Sequence, residues 1–251
     1  MDDLAGKTIW VAGHRGLVGS ALVRRLASED CTILTAPRDR LDLERRDQVD
    51  AFLEAHRPDA IILAAARVGG IHANATQPAD FLSSNALIAL NVIGGAHQAG
   101  VERLLYLGSS CIYPRHAPQP IREDALMSGP LECTNEAYAT AKILGLQYVQ
   151  SMRAQHGRDY IAAMPTNLYG PGDSFDLVNG HVLPALLRRT HEARIADDPH
   201  LTVWGTGRPR REFLHVDDCA EALVLLLSAT RTQRRSMSAM AATSPLPTWL
   251  P

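Results

Sequence analysis

The amino-acid sequence predicts an α/β fold in which a doubly wound parallel sheet precedes a smaller C-terminal lobe. Short apolar or β-branched runs alternate with stretches that have the apolar spacing of amphipathic helices. This alternation is typical of parallel sheets with helices on both faces. A glycine-rich turn joins the first run to the first helical stretch, as in dinucleotide-binding sheets. Together the two observations favour the Rossmann type of fold.

The strand and helix candidates follow one another in the order that such a sheet requires. The run at residues 60–65 is apolar without alternation, as expected for a strand that is buried on both faces. The strand candidates span residues 8–12, 32–35, 60–65, 104–108 and 160–165, and the helix candidates span residues 18–28, 45–56, 81–99 and 137–156.

The composition limits the classes of protein to which the chain can belong. Its 251 residues allow one large domain, or one domain and part of another. A formal net charge of −2 provides no basic surface for nucleic acid or for an anionic membrane. The longest contiguous apolar runs, 60–66 and 223–227, are too short to span a bilayer, and the first residues do not resemble a signal peptide. The four cysteines lack CxxC spacing, so we expect no disulfide framework, no metal site and a cytoplasmic location.

The glycine-rich turn contains Gly13, Gly16 and Gly19, directly after the first strand candidate and at the start of a helix. Glycines at such positions permit a tight turn, close approach of a pyrophosphate and packing of the helix on the strand. The N–H groups at the start of the helix would then bind the phosphates. Ordinary turns also use glycine, so the strand and helix on either side are needed for this interpretation. The other residues of the loop that we expect at the cofactor are His14, Arg15, Leu17 and Val18.

The end of the second strand candidate indicates which dinucleotide is bound. NAD-binding sheets usually have an acid there for the ribose 2′-hydroxyl, whereas this chain continues with Ala36, Pro37 and Arg38. Arg15 lies in the glycine loop, and two guanidinium groups suit a 2′-phosphate, which they bind in bidentate fashion. We therefore expect NADP(H), with the alternative that both arginines are only solvated surface residues.

Tyr138 and Lys142 are separated by four residues in a helix candidate, so they lie on one face of that helix. A free phenol is a poor acid–base catalyst at neutral pH, but a lysine ammonium one turn away favours the phenolate and lowers its pKa. The same lysine can hold the ribose of the nicotinamide. Ser109 follows the fourth strand candidate and can donate a hydrogen bond to a substrate carbonyl oxygen. The set predicts a carbonyl/alcohol oxidoreductase.

Cys111 lies two residues after Ser109, and hydride transfer does not require it. A thiolate there could remove a proton from a carbon next to a carbonyl group. A second acid on the opposite face would return the proton and invert that carbon, and His181 is the candidate. The alternatives are that Cys111 is a small packed residue and that His181 is structural.

Several motifs occur in order between about residue 5 and residue 228, among them "AGHRGLVGSA", "LGSSCIYP", "EAYATAKILG", "MPTNLYGPGDSF" and "VWGTGRPRREFLHVDD". Together they resemble the GDP-L-fucose synthase family of extended short-chain dehydrogenases/reductases, whose glycine spacing also matches. The resemblance implies conversion of GDP-4-keto-6-deoxy-D-mannose to GDP-L-fucose by 3,5-epimerisation followed by reduction of the C4 ketone with NADPH. One departure is Gly180, where the family commonly has serine.

The resemblance also implies roles for single residues and an assembly. Cys111 is the epimerisation base and His181 the acid, while Tyr138 protonates the C4 oxygen. A homodimer is implied as well. The GDP-sugar would contact Arg189, Trp204 and Arg211, and the cofactor would also contact Leu107, Gly108, Ser109, Ser110, Lys142, Pro165, Thr166, Asn167, Leu168 and His181.

We divide the chain into an NADP-binding domain at 1–168, a partial substrate-binding lobe at 169–230 and an aberrant tail at 231–251. The tail has no helix or strand period and is dominated by Ser, Ala, Met and Pro. Another reading frame of suitable codons can encode a glycine turn and a helix start, so we expect a frameshift near 229–235. An insertion or a natural alternative end is the other interpretation. The helix near 217–228 should then keep an apolar face with few partners, leaving the chain aggregation-prone and nearly inactive.

Two other functions fit the same residues. One is another nucleotide-sugar epimerase, reductase or dehydratase in which Cys111 is inert. The other is a non-catalytic nucleotide-binding protein or an inactive truncated fragment. The complete set of Ser109, Tyr138 and Lys142 argues against the second, whereas the tail favours it.

Overall fold

The computed structural model describes residues 4–177, 180–201, 203 and 210–229. Five parallel strands form the main sheet in the order β2-β1-β3-β4-β5, and two more form a small parallel pair, β6-β7. The strands of the main sheet are β1 (Thr8–Ala12), β2 (Thr32–Leu34), β3 (Ala60–Leu63), β4 (Arg103–Leu107) and β5 (Asp159–Ala163). The remaining strands are β6 (Asn167–Tyr169) and β7 (Phe213–His215), and the helices are α1 (Leu17–Leu26), α2 (Arg46–His56), α3 (Ile71–Thr76), α4 (Pro78–Gln98), α5 (Glu136–His156), α6 (Val182–Ile195) and α7 (Val216–Ser228).

The predicted fold class is confirmed by this parallel sheet with helices on both faces. Each strand of the main sheet begins and ends within two residues of its predicted bounds, and the five predicted helices, including the one expected near 217–228, within three. β1 pairs with β2 on one side and with β3 on the other. The chain leaves β1 toward one face and β3 toward the other, so a crevice opens at the carboxyl ends of these two strands.

Two apolar layers hold the sheet between the helices. On one face, α2, α4 and α5 pack against side chains such as Trp10, Ile61 and Tyr106, all of which are buried. On the other face, α1 and α7 enclose Ile9 and Val11 of the central strand. Both faces of β1 and β3 are therefore covered, which explains why their sequences are apolar without alternation.

α7 contradicts our expectation of an uncovered apolar face. Val216, Leu223 and Leu227 are each no more than 3% exposed and lie in the cluster that contains α1. At the rim of this contact, Arg24 is ion-paired with Asp217 at 2.6 Å, and Arg25 is ion-paired with Glu221. The expectation was wrong because the apolar side of α1, a helix that the sequence predicts, covers α7 in the folded chain.

The position of α7 also bears on the division into domains. We assigned residues 169–230 to a substrate-binding lobe, yet α7 shares the core of the main sheet. The boundary at residue 168 stays a prediction for the residues that precede α7. The tail at 231–251 lies outside the described residues, and the frameshift that we expect near its start stays a prediction.

The small pair β6-β7 and helix α6 follow the main sheet, and the sequence patterns did not predict them. β6 and β7 have only three residues each, with Leu168 opposite Leu214. Thr166 Oγ1 and Asn167 Nδ2 both donate to the carbonyl of Glu212, at 2.9 and 3.0 Å. These bonds fix the segment after β5 beside the segment before β7.

Among the helices that the structure describes, only α4 has the length and the apolar composition of a helix that could cross a membrane. In its most apolar window 61% of the residues are buried inside the protein. The helix packs between α2 and α5. Its apolar character is thus that of a core helix.

Burial of α7 predicts a large loss of stability on truncating Leu223. Leu223→Ala should lower the free energy of unfolding by roughly 2–5 kcal/mol, because it removes buried methyl groups and leaves a cavity. Leu187→Ala is the control, since that side chain is 52% exposed, and its effect should stay below about 0.5 kcal/mol. Urea unfolding followed by circular dichroism measures both. Equal effects would contradict the burial of α7.

Candidate active site

The glycine loop between β1 and α1 can only be built with glycine at two of its positions. Gly13 has a φ of +93°, and a Cβ added there would lie 2.6 Å from the backbone nitrogen of Ala65. A Cβ added to Gly19 would overlap the carbonyl oxygen of Gly13. The first glycine therefore makes the turn next to β3, and the third allows α1 to lie against the loop.

Gly16 has a different environment and is the N-cap of α1. A Cβ at Gly16 would meet no atom closer than 3.5 Å, so packing within the protein does not require glycine there. No side chain caps α1, and its first turn carries no acidic residue. The first N–H groups of α1 thus have no side-chain cap and no carboxylate beside them, and the absence of a side chain at Gly16 leaves room for a ligand. Such a helix start is suited to a pyrophosphate. The loop thus fits a dinucleotide.

The two arginines expected at the adenosine ribose differ in their surroundings. Arg15 is exposed in the glycine loop and lies near His14. Burial, and then the charge of Arg15, lower the pKa of His14. Arg38 is also exposed, but its Nη2 donates to Glu44 Oε1 at 3.0 Å. The sequence analysis missed Glu44, which lies six residues away in an irregular segment. A ligand phosphate would compete with this carboxylate for Arg38.

The predicted catalytic residues meet at the end of β4. Lys142 Nζ donates to the carbonyl of Leu107, the last residue of β4, at 2.8 Å, and the side chain is only 4% exposed. The same nitrogen lies 5.8 Å from the centre of the Tyr138 ring. Ser109 forms a hydrogen bond with Tyr138 and accepts another from the backbone N–H of Cys111 at 3.3 Å. The structure therefore brings Ser109, Cys111, Tyr138 and Lys142 together.

The protonation of this cluster differs from our expectation. Burial raises the pKa of Tyr138, the neighbouring Cys111 raises it further, and the hydrogen bond with Ser109 acts in the opposite direction. Burial lowers the pKa of Lys142 to about 8, against the effect of Cys111. The expected lowering of the phenol pKa by Lys142 is therefore wrong, because the loss of hydration dominates. A phenol that stays protonated at neutral pH can donate a proton.

Cys111 and His181, the predicted base and acid, lie in separate segments and are not in contact among the described residues. Cys111 lies in a short 3₁₀ turn, Ser110–Ile112, and its Sγ accepts a hydrogen bond from Asn135 Nδ2 at 3.3 Å. His181 is the exposed N-cap of α6. Within the described residues, no hydrogen bond, ion pair or ring contact links the two. Their pairing across a substrate stays a prediction.

The expected substrate residues lie along the second half of the chain. Arg189 Nη2 donates to the carbonyl of Leu177 at 3.2 Å. Arg211 is exposed and donates to the carbonyl of Arg210 at 2.8 Å. Trp204 lies outside the described residues. These observations leave the assignment of the GDP-sugar site as a prediction.

The segments expected to line the cofactor follow β4 and β5. The backbone N–H of Gly108 donates to the carbonyl of Ala163 at 2.8 Å, so both segments leave the sheet side by side. Ser110 is exposed, whereas Pro165 and Thr166 are half-buried. This arrangement places both segments at the carboxyl edge of the sheet, next to the crevice.

Three residues at the cluster were missed by the sequence analysis. The ring of Phe81 meets that of Tyr138 edge-on with centres 6.4 Å apart. The Tyr106 ring lies 5.0 Å from Lys142 Nζ. Asn135 contacts Cys111. Only Asn135 had a signal in the sequence. Asparagine is a common N-cap residue, and Asn135 lies three positions before Tyr138, which the sequence predicts to be catalytic.

Comparison with known proteins places these residues in a family. The model of the NAD dependent epimerase/dehydratase family matches residues 9–238. The chain belongs to this family. It is 58% identical over 224 residues to a GDP-L-fucose synthase of Sinorhizobium fredii. This match covers 89% of this chain and 71% of that protein. It is 56% identical over 228 residues to GDP-L-fucose synthase 1 of Arabidopsis thaliana, with 90% and 70% of the two chains covered.

A solved structure has a similar overall fold. The GDP-L-fucose synthetase of Naegleria fowleri, solved with NADP bound, superposes with a TM-score of 0.78 at 28% identity. The match covers 89% of this chain and 74% of that chain.

The buried ammonium of Lys142 predicts a specific dependence of stability on pH. A lysine whose folded pKa lies near 8 contributes stability that is complete above its unfolded pKa of about 10.4 and is lost as the pH falls through 8. Between these limits the wild type should gain on the order of 3 kcal/mol relative to Lys142→Met. The chain's other lysine, the exposed Lys7, supplies the control Lys7→Met. Urea unfolding across this range measures the difference, and parallel curves for all three proteins would contradict it.

Proposed function

We propose that the chain converts GDP-4-keto-6-deoxy-D-mannose to GDP-L-fucose by 3,5-epimerisation and NADPH-dependent reduction at C4. The observation that carries this proposal is the position of Cys111, whose backbone N–H donates to Ser109 and whose side chain lies near enough to interact electrostatically with Tyr138 and Lys142. A reductase alone does not need a thiol at that point. The curated relatives named GDP-L-fucose synthase support the same conclusion.

NADP(H) is the cofactor of this proposal. The glycine loop fits a pyrophosphate, and Arg15 and Arg38 are available at the end of the loop and of β2 for a 2′-phosphate. When bound, the cofactor supplies the hydride that reduces C4. Lys142 would hold the nicotinamide ribose, and the segments 107–110 and 165–168 would line the same crevice.

The epimerisation step uses the cysteine and the histidine. Each carbon next to the C4 ketone, C3 and C5, carries a hydrogen that is acidic enough to be removed by a thiolate. Cys111 would take the proton, and the ketone oxygen would hold the resulting negative charge. His181 would return a proton from the opposite face, which inverts the carbon. Its exposed position at the start of α6 supports this role, since a substrate bound between the two segments could reach it.

The reduction step uses the remaining residues of the cluster. Burial keeps the phenol of Tyr138 protonated, so Tyr138 can donate its proton to the C4 oxygen as the hydride arrives. Ser109 would donate a hydrogen bond to the same oxygen. The Lys142 ammonium, one turn away, would stabilise the phenolate that forms. The protonated state of the phenol, and not the size of the pKa shift, therefore supports the direction of reduction.

Further features of the proposal concern the substrate and the assembly. Arg189, Trp204 and Arg211 would bind the GDP group, with residues 1–168 as the cofactor domain and 169–230, apart from α7, as the substrate lobe. A homodimer in the cytoplasm is also proposed. Three leucines of α4 support the dimer, because each is about two-fifths exposed and a second copy of the chain could cover them. They are Leu82, Leu87 and Leu90.

The two steps should be separable by substitution. Cys111→Ser should block uptake of solvent deuterium at C3 and C5 while NADPH still binds, because only the base is lost. Tyr138→Phe should retain deuterium uptake but lower NADPH oxidation by at least about 10²-fold, because the proton donor is removed. Mass spectrometry of the recovered sugar and absorbance of NADPH measure the two steps.

The controls are residues of the same kind without an assigned role. Cys133→Ser replaces an exposed thiol, and Tyr148→Phe replaces another phenol of α5, so both should behave as wild type. Normal deuterium uptake in Cys111→Ser would return Cys111 to a packing role. Absence of GDP-L-fucose from the wild-type reaction would reject the proposed function.

The preference for NADPH should depend on the pair of Arg38 and Glu44. Arg38→Ala should weaken NADPH binding by roughly tenfold and leave NADH binding unchanged, since only NADPH has the 2′-phosphate. Glu44→Gln should strengthen NADPH binding, because it frees the guanidinium. Arg45→Ala is the control, as that arginine is paired with Asp47. Fluorescence titration measures the affinities, and equal affinities for both cofactors in all variants would refute the assignment.

A further inference from the structure

Asn135 occupies an unusual position for a residue that begins a helix. It is the N-cap of α5, where an asparagine side-chain oxygen ordinarily accepts a hydrogen bond from an N–H of the first turn. Here its side chain forms no such bond. Its Nδ2 instead donates to the sulfur of Cys111 at 3.3 Å. The side chain is therefore turned away from its own helix and toward the thiol.

The remaining atom of the amide shows that this orientation has a cost. Asn135 Oδ1 is buried and has no hydrogen-bond partner. An unpaired buried acceptor typically costs about 1–3 kcal/mol, and a capping bond would have removed that cost. An arrangement that gives up the local bond indicates that the contact with Cys111 serves another purpose.

The surroundings of the sulfur explain that purpose. An amide N–H bonds more strongly to a thiolate than to a neutral thiol, because one partner is then ionised. Because Asn135 begins α5, the sulfur that it contacts lies near the start of this helix, and a helix N-terminus favours negative charge. The buried ammonium of Lys142 is near enough to interact electrostatically with Cys111. All three groups favour the charged form of the sulfur.

We infer that Asn135 is a positioning residue for the epimerisation step, holding Cys111 as a correctly placed thiolate through the Nδ2–Sγ hydrogen bond. This inference rests on the proposed role of Cys111 as the base. Asn135 itself does not contact the substrate in this role. It acts by setting the fraction of thiolate and the direction of the sulfur.

Alkylation of Cys111 tests the hydrogen bond without any substrate. The full chain is treated with short pulses of iodoacetamide between about pH 6 and about pH 9, since only the thiolate reacts. Trypsin then releases Cys111 in the peptide 104–115 and Cys133 in the peptide 123–142, so mass spectrometry follows each thiol separately. The reporting peptide has the same sequence in every variant of Asn135.

Two variants are compared with a matched control. Asn135→Ala removes the donor, and Asn135→Asp keeps the shape and the capping ability but replaces the donor with a carboxylate. We expect Cys111 alkylation near neutral pH to slow about tenfold in the first and more in the second, with rates recovering at higher pH. Gln150→Ala removes an exposed amide from the same helix and should change nothing. Cys133 is the internal reference for reactivity, and melting temperatures verify folding.

The same variants are then assayed with GDP-4-keto-6-deoxy-D-mannose. Deuterium uptake at C3 and C5 should slow in parallel with alkylation and recover with pH, while NADPH affinity stays the same. An alkylation profile identical to that of the wild type in folded Asn135→Ala and Asn135→Asp would overturn the inference. An altered alkylation profile with unchanged deuterium uptake would overturn it as well. If the wild type forms no GDP-L-fucose, the proposed function fails, and the alkylation profiles alone then decide whether Asn135 favours the thiolate.

Discussion

The hydrogen bond from Lys142 to the carbonyl of Leu107 is the contact around which the site is arranged. It joins the middle of α5 to the last residue of β4, with the ammonium almost fully removed from water. Because Tyr138 lies one turn earlier on the same helix face, this bond also fixes the phenol next to Ser109. The buried charge is tolerated because a carbonyl oxygen and the faces of two tyrosine rings surround it.

The same arrangement determines what the cluster can do with protons. Removal of water raises the phenol pKa and lowers the ammonium pKa, so two values that are close together in water move apart and the phenol keeps its proton. A proton can then pass out of the phenol while the adjacent ammonium compensates the new charge. Cys111 lies close to both groups, and in the proposed function it would be the base for the carbon acids while Tyr138 would be the donor for the oxygen.

Much of the fold could be predicted from the sequence, because its strands and helices have strong local signals. The glycine loop and the face shared by Tyr138 and Lys142 depend on short-range geometry that the chain itself specifies. The three-residue strands β6 and β7 gave no such signal. Burial of α7 and the pairing of Arg38 with Glu44 depend on tertiary contacts, which no local pattern reveals. The pKa of Tyr138 was misjudged for a related reason, since the sequence shows the neighbouring charge but not the loss of hydration.

The packing of α1 against α7 has a consequence for the order in which the molecule can form. The ion pairs at this contact join residues that are 193 and 196 positions apart. On the opposite face α2, α4 and α5 follow one another along the chain and pack together, so their contacts join residues that are closer in sequence, and such contacts form sooner than contacts between distant residues. During synthesis, the apolar side of α1 must therefore wait until most of the chain has left the ribosome. In that interval the growing chain exposes an apolar surface, and such a surface makes an incompletely folded chain prone to aggregation.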